Sequence, residues 1–242
     1  MRIGVIGTGT IASAVVEGFA CDDHRIIVSE RSAERAAQLA KTYESVSVAA
    51  NQSVLDQSEV IFVGLMAEVA SDILGNLTFR ADHRVISLMA GVKIGDIPEM
   101  IAPAQVEAVM IPFPGIAQGG SPIMVQGRAG IVRKLFGTKN QIFELTSDAD
   151  LAAYMSAQAI LSPAVQMVSD AATWLGDRVG DQRQAEVFLR MLVGSSLIGG
   201  ECAQLLAALD TPGGYNQRLR MHMIASGMSV ALTEGLDKLE GN

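Results

Sequence analysis

Ile3-Gly4-Val5-Ile6-Gly7-Thr8-Gly9-Thr10-Ile11-Ala12 is the stretch that decides the fold of this 242-residue chain. Residues 3–6 form a short apolar run of the strand kind, and residues 10–20 read as a helix. Between them, residues 7–12 fit G-x-G-x-x-G/A. That pattern is weak alone, but here it leaves a strand, opens a helix and is followed by a second strand, Ile26-Ile27-Val28, which ends about twenty residues later at Glu30. Gly7 permits the tight turn, Gly9 lets backbone approach a pyrophosphate, and small Ala12 allows helix and strand to pack closely. The helix N-terminus adds free N–H groups and partial positive charge. Gly7, Thr8, Gly9, Thr10, Ile11 and Ala12 are therefore read as a dinucleotide-binding turn.

Outward from this turn, apolar runs and helical stretches alternate through residue 148. Residues 32–42 read as a helix. Val60-Ile61-Phe62-Val63 is continuously apolar, as a strand buried on both faces should be. Val85-Ile86-Ser87-Leu88 and residues 106–111 repeat the style. The expectation is an α/β, doubly wound (Rossmann) parallel sheet over residues 1–148, with helices on both faces. Beyond it the strand signal stops. Residues 153–175, 182–209 and 215–239 read as helical regions, giving an all-α C-terminal domain over 149–242. Ser162-Pro163 looks like an N-cap followed by proline at the first helical position. Thr211-Pro212-Gly213-Gly214 reads as a turn. Residues 191–200 carry no charge on any face, so the helix they form must be covered all round, which points to a homodimer or larger homo-oligomer through the C-terminal helices.

Composition narrows the function classes. Hydrophobic residues at 49% exclude a disordered chain, and Cys21 and Cys202, far apart, exclude a disulfide scaffold and suit buried thiols in a reducing compartment. A net charge of −8, split evenly between the two parts, argues against nucleic acid as a partner. Residues 151–169 are uncharged, but Ser156, Gln158, Ser162, Pro163 and Gln166 interrupt them, so they read as a buried helix and not a membrane span. No targeting segment is visible, so a cytoplasmic protein is expected.

The nucleotide's identity turns on three residues. Glu30 stands where an acid would hold a ribose 2′-hydroxyl, favouring NAD; Arg31 and Ser32 would cradle a 2′-phosphate, favouring NADP. NADP is expected, with NAD as the alternative.

Residues 3–14, Val-Ile-Ser-Leu-Met-Ala-Gly-Val at 85–92, residues 110–114, Ser162-Pro163-Ala164 and Thr211-Pro212-Gly213-Gly214 together resemble the pyrroline-5-carboxylate reductase family, the last of these being the most family-specific. The resemblance implies hydride transfer from NAD(P)H to a cyclic imine, of the proline-biosynthesis type. It adds Leu65, Met66, Ala90 and Pro112 as cofactor contacts, and Ser162, Pro163, Gly213 and Gly214 as contacts of a small-molecule substrate. Tyr215 and Asn216 stand at its catalytic positions, where the family carries two threonines. Leu65-Met66 replaces a Lys-Pro pair, and Phe113 replaces an asparagine.

Ionisable groups are sparse where a carbonyl reductase needs them. No lysine follows Lys139 except Lys238, and His222 is the only histidine of the second part; His24 and His83 fall in segments read as solvated loops. Carbonyl reduction needs a general acid. A protonated imine already carries the charge that activates it, so the poverty of acids favours C=N over C=O. No His, Cys, Asp and Glu spacing suits a metal.

Overall fold

The computed structural model describes residues 1–240. It divides into two compact units, one from Met1 to Leu151 and one beginning at Ala152.

The first unit is an eight-stranded sheet with helices on both faces. In chain order it holds β1 (Arg2–Ile6), α1 (Thr10–Phe19), β2 (Arg25–Ser29), α2 (Ala33–Thr42), β3 (Val46–Ala49), α3 (Asn51–Asp56), β4 (Val60–Val63) and α4 (Ala67–Gly75). Then follow β5 (Arg84–Ser87), α5 (Ile97–Ile101), β6 (Gln105–Pro112), β7 (Pro122–Gly127), α6 (Gly130–Phe136) and β8 (Gln141–Leu145). The strand order is β3-β2-β1-β4-β5-β6-β7-β8, so the chain switches direction between β1 and β4. Strands β1–β6 all run parallel to one another.

The sheet is the doubly wound, mostly parallel one expected from the sequence, and a single junction departs from it: β7 runs antiparallel to β6. Residues 113–121 between them hold only a one-turn 3-10 helix (Pro114–Ala117), too little chain for a parallel crossover, which takes a dozen or more residues. The strand therefore folds back as a hairpin, and β8, parallel to β7, runs back with it.

Strand alternation sends Ile3, Val5, Val28 and Phe62 to one face, where α1, α2 and α6 cover them. Phe19 of α1 lies at the centre, its ring 5.8 Å from that of Phe62 and 5.6 Å from that of Phe136. On the other face Gly4 meets Val54 of α3 closely enough that a Cβ there would lie 2.8 Å from it. The lower edge of β5–β7 is fastened by Glu107, 5% exposed, which accepts from Arg84 at 2.8 Å and pairs with Arg128 at 3.1 Å.

His83, read as solvated, is buried. Its Nδ1 accepts the Arg80 N–H at 3.1 Å and its Nε2 reaches the Leu55 carbonyl at 3.0 Å, which fixes a neutral tautomer. Its loop runs inward because the imidazole bridges the Arg80 N–H to the Leu55 carbonyl at the end of α3. Cys21 and Cys202, expected to be buried, are both exposed, each at a helix terminus.

After β8, α7 (Asp148–Ala157) begins with Asp150 accepting from Thr146 and Ser147 and with Asp148 accepting from Gln126 Nε2 at 2.7 Å. A 3-10 turn (Gln158–Ile160) leads into α8 (Leu161–Val179), then α9 (Gln182–Ile198), α10 (Cys202–Ala208), α11 (Tyr215–Ala225) and α12 (Met228–Glu240). The last two sequence regions each split in two, at Gly199-Gly200 and at Ser226-Gly227, where Gly227 has φ +92°. Ser162 is not an N-cap. Helical turn continues from the 3-10 segment into α8, and Ile160 occupies the capping position. Gly180, at φ +74°, ends α8 in the left-handed conformation, and the Asp181 side chain caps α9 by accepting from Gln184 N–H at 2.9 Å.

The second correction concerns burial. Residues 151–169 were expected inside, yet most are exposed in the single chain and only Ser156 is buried, and most side chains of the second unit are exposed as well. Asp148–Val179 is long and apolar enough by composition to cross a membrane, with a mean hydropathy of 1.2 in its most apolar window. The polar Gln158, Ser162, Gln166 and Ser169, and the charged Asp170, Asp177 and Arg178, are spread along it.

Candidate nucleotide-binding site

The turn between β1 and α1 is built by three constraints. The Gly7 N–H donates to Ser29 Oγ at 2.8 Å, tying the turn to the end of β2. Gly7 has φ +88°, and a Cβ there would lie 2.5 Å from the Gly64 carbonyl oxygen, so no other residue fits. Ala12 is limited by the same neighbour, because a Cβ on Gly64 would lie 2.8 Å from Ala12 Cβ. The close helix–strand approach read from Ala12 is therefore a contact with Gly64, a residue the motif does not contain.

Gly9 is different. Nothing lies within 4 Å of the Cβ it lacks. Its conformation is extended, so glycine is not required there for the backbone. The open space beside the start of a ten-residue helix without any side-chain cap is a cradle that a Cβ would fill. Thr8, fully buried between the glycines, has a hydroxyl with no hydrogen-bond partner. The residues present thus fit a bound dinucleotide phosphate.

Two clefts flank the turn. One, of about 400 Å³, lies on the β4–β5 side and is lined by Gly9, Thr10, Ile11 and Ala12, by Gly64 to Glu68, and by Leu88 and Ala90. The other, of about 330 Å³, lies on the α2 side and is lined by Thr10, Ser13, Glu17, Arg35, Gln38 and Pro114 among others. A dinucleotide crossing the switch point between β1 and β4 puts its adenosine half on the β2 side and its other half on the β4 side.

Leu65, Met66 and Ala90 line the first cleft. Pro112 does not; it is buried at the end of β6, and Pro114 lines the second cleft instead. Glu30 and Arg31 are exposed just beyond β2, and Ser32 is half-buried at the N-cap of α2 with its hydroxyl making no capping bond. Arg31 and Arg35 both lack a carboxylate partner among the described residues. Sequence reasoning missed Gly64, Glu68 and Arg35. The spacing of Arg35 from Arg31, one helical turn, was the available signal for the last.

In the second unit, Ser162 and Pro163 lie exposed in the first turn of α8. Gly213, at φ +72°, and Gly214 form the turn before α11; the Gly213 N–H donates to Gln217 Oε1 at 2.8 Å, and Gly214 N–H to the Thr211 carbonyl at 2.9 Å. Arg220 pairs with Asp210 behind it. The turn is therefore held from both sides, and Tyr215 and Asn216 project from the start of α11, Tyr215 being 91% exposed. His222 is exposed further along the same helix.

Residues 2–91 match a family model described as NADP oxidoreductase, coenzyme F420-dependent. A pyrroline-5-carboxylate reductase of Corynebacterium melassecola is 26% identical over 252 aligned positions, covering 95% of this chain and 92% of that protein. The crystal structure of 1-pyrroline-5-carboxylate reductase from Streptococcus pyogenes superposes with a TM-score of 0.81 at 22% identity, covering 100% of this chain and 99% of that one. The pyrroline carboxylate reductase of Plasmodium falciparum with NADP bound gives 0.81 at 14%, covering 100% and 96%. Over nearly its whole length the chain is similar in sequence to a pyrroline-5-carboxylate reductase, and it shares the fold of solved members of that family.

Proposed function

We propose that the chain is an NADP-dependent oxidoreductase, with NAD as the alternative cofactor, that reduces the C=N bond of a small cyclic imine in the manner of pyrroline-5-carboxylate reductase. The observation that carries this reading is the pairing of an open phosphate cradle at Gly9 with a largely apolar cleft on the β4 side, in which Glu68 is the one ionisable side chain among the described residues. The cleft's walls are Leu65, Met66, Leu88 and Ala90.

A reduced nicotinamide, when bound, supplies the hydride. The chain's own residues bind and orient. The N–H groups at the start of α1 hold the pyrophosphate, Thr8 and Gly7 shape the turn, and Arg31, Ser32 and Arg35 take the 2′-phosphate. The apolar wall excludes water from the acceptor carbon. Residues 149–242 form the substrate and dimerisation domain. Tyr215 and Asn216 at the α11 N-terminus act as donors to the substrate, beside Gly213 and Gly214, with Ser162 and Pro163 of α8 completing its contacts. The similarity to pyrroline-5-carboxylate reductases across both units supports a proline-biosynthesis role, a homodimer or larger homo-oligomer, and a cytoplasmic location.

A second reading is a nucleotide-responsive binder without turnover; the Tyr215-Asn216 pair in place of two threonines favours it. Mixing the protein with NADPH or NADH and a panel of cyclic imines, and following the absorbance of the reduced cofactor, separates the two. Turnover supports the reductase, and tight cofactor binding with no turnover of any imine overturns it. Arg31→Ala should weaken NADPH binding by about 1.5–3 kcal/mol and NADH binding little. An equal loss for both leaves Glu30 as the ribose contact.

A further inference from the structure

We propose that Met66 is an oxidation site through which hydrogen peroxide weakens nucleotide binding. The proposal rests on the nucleotide-binding reading above and goes beyond it by giving that site a reversible regulation.

Exposure, position and support meet at this residue. Of the methionines in residues 1–151, Met66 alone is exposed, at 71%; Met89, Met110 and Met124 are buried, and Met1 and Met100 are half-buried. Met66 also lines the β4-side cleft, together with Gly9 and Thr10 of the nucleotide turn. The exposed methionines of the second unit, Met167, Met191, Met221 and Met228, line neither cleft beside that turn, and nor do the exposed Cys21 and Cys202. The backbone beneath Met66 is fixed. Gly64 N–H donates to the Ile6 carbonyl at 2.8 Å, and Val69 N–H donates to the Met66 carbonyl at 3.2 Å. Gly64 is itself pressed against Gly7. The thioether is therefore presented to solvent and to the cleft from a support that cannot withdraw it.

Oxidation balances with one reagent. Sulfur bonds to one oxygen of the peroxide, the O–O bond breaks, and the departing hydroxide takes the proton of the transferred hydroxyl. Water leaves, and sulfur, having given up two electrons, is a neutral sulfoxide. Thiol-dependent reductases reverse the change, the oxygen leaving as water while two thiols become a disulfide. The oxidised side chain is polar where the thioether was apolar. Turned into the cleft, its oxygen stands against the apolar wall of Leu65, Leu88 and Ala90 and beside a ligand whose phosphates are anions. Turned to water, it strips the cleft of the apolar cover that Met66 supplied. Either way the dinucleotide is held less well.

Peptide mass spectrometry and NADPH titration of the same peroxide-treated samples test this without turnover. Met66 should gain one oxygen before Met89, Met110 and Met124, and saturating NADP⁺ should slow that gain by covering the sulfur. Protein fully converted at Met66 should bind NADPH about tenfold more weakly than untreated protein. Treatment with the two methionine sulfoxide reductases, one for each epimer, should restore the affinity. Met66→Leu has no sulfur to oxidise at this position, so its affinity, whatever its starting value, should be the same before and after peroxide. That comparison separates Met66 from every other oxidised side chain. Met66→Gln, polar without oxidation, should bind NADPH less well than Met66→Leu. Three results overturn the proposal and leave the nucleotide reading intact: unchanged affinity after full conversion of Met66, an equal loss in the parent and Met66→Leu, or oxidation of Met66 at one rate with and without NADP⁺. Failure of the untreated parent to bind NADPH or NADH overturns that reading, and the proposal with it.

Discussion

Gly7 and Gly9 stand two positions apart in one turn, yet the structure assigns them opposite burdens. Gly7 serves the fold, because its φ of +88° and the 2.5 Å approach to the Gly64 oxygen exclude a side chain. Gly7→Ala should therefore lower stability by roughly 1–3 kcal/mol from backbone strain alone, measured by denaturant unfolding without any nucleotide. Gly9 serves the ligand, because its missing Cβ points into open space. Gly9→Val should fold normally and lose NADPH binding; intact affinity in the folded variant would sink the assignment of this turn. Both glycines were legible in the sequence, but which burden each carries was not, since Gly64 arrives from β4, more than fifty residues away. Tyr215 poses a similar question. It is 91% exposed, so its ring packs against nothing within the described chain. Tyr215→Phe keeps the ring and deletes the donor. It should lower turnover of the true substrate several-fold, in line with one neutral hydrogen bond of about 0.5–1.5 kcal/mol, and leave NADPH affinity alone. Equal rates would exclude the hydroxyl from the chemistry.

Among the elements, those buried on both faces were the easiest to read. Val60–Val63 has no polar position because α-helical layers cover it above and below, and its sequence says so. Edge strands carry weaker marks. Val46–Ala49 holds two exposed positions, and Gln141–Leu145 holds three, so neither shows an apolar run. The reversal of β7 leaves no mark in its own residues; it follows from the brevity of residues 113–121. That loop is also fastened, with Asn140 Nδ2 donating to the Ile116 carbonyl at 3.3 Å and Ser121 N–H donating to Asn140 Oδ1 at 3.1 Å, so its glycines shape a fixed turn and not a hinged cover. His83 ties α3 to the segment before β5 in the same manner, and it brings a pH dependence. Burial, with help from the nearby Arg80 charge, lowers its pKa below the ordinary histidine value. The unfolded chain therefore binds a proton that the folded chain refuses. Stability is fully present above the unfolded value of about 6.5 and falls as the pH drops below it, towards the folded value. The thermal midpoint should decline from pH 7.5 to pH 5.5 (about one unit either side of that value). Replacement by Gln, which offers a donor and an acceptor without titrating there, should make the decline shallower; an identical slope would remove His83 as its source.

For the whole molecule, the decisive quantity is apolar surface left bare. Phe188, Met191 and Leu192 of α9 are exposed in the single chain, Leu197 is 56% exposed, and Ile198 is 89%. Isolated soluble monomers rarely carry a contiguous patch of this kind. Light scattering at low micromolar concentration should find a dimer or larger assembly, and the thermal midpoint should rise with protein concentration. Leu197→Glu places a carboxylate in that surface and should yield monomer or unfolded chain. A stable monomer from the unmodified protein would defeat the expectation. The charge-free run was readable in the sequence, whereas the partition of each long helix at its glycines was not, because glycine inside a helix and glycine at a break look alike until φ is known. The hairpin at β7 has one more effect. With β7 and β8 running back against the other six strands, the chain departs from the sheet at the edge opposite Gly9, and Asp148 is moored there to Gln126. The full length of the strands insulates the nucleotide turn from that point of departure. A change at Gln126 or Asp148 should therefore alter how the chain leaves the sheet while the phosphate turn, a strand's length away in the same unit, stays as it is.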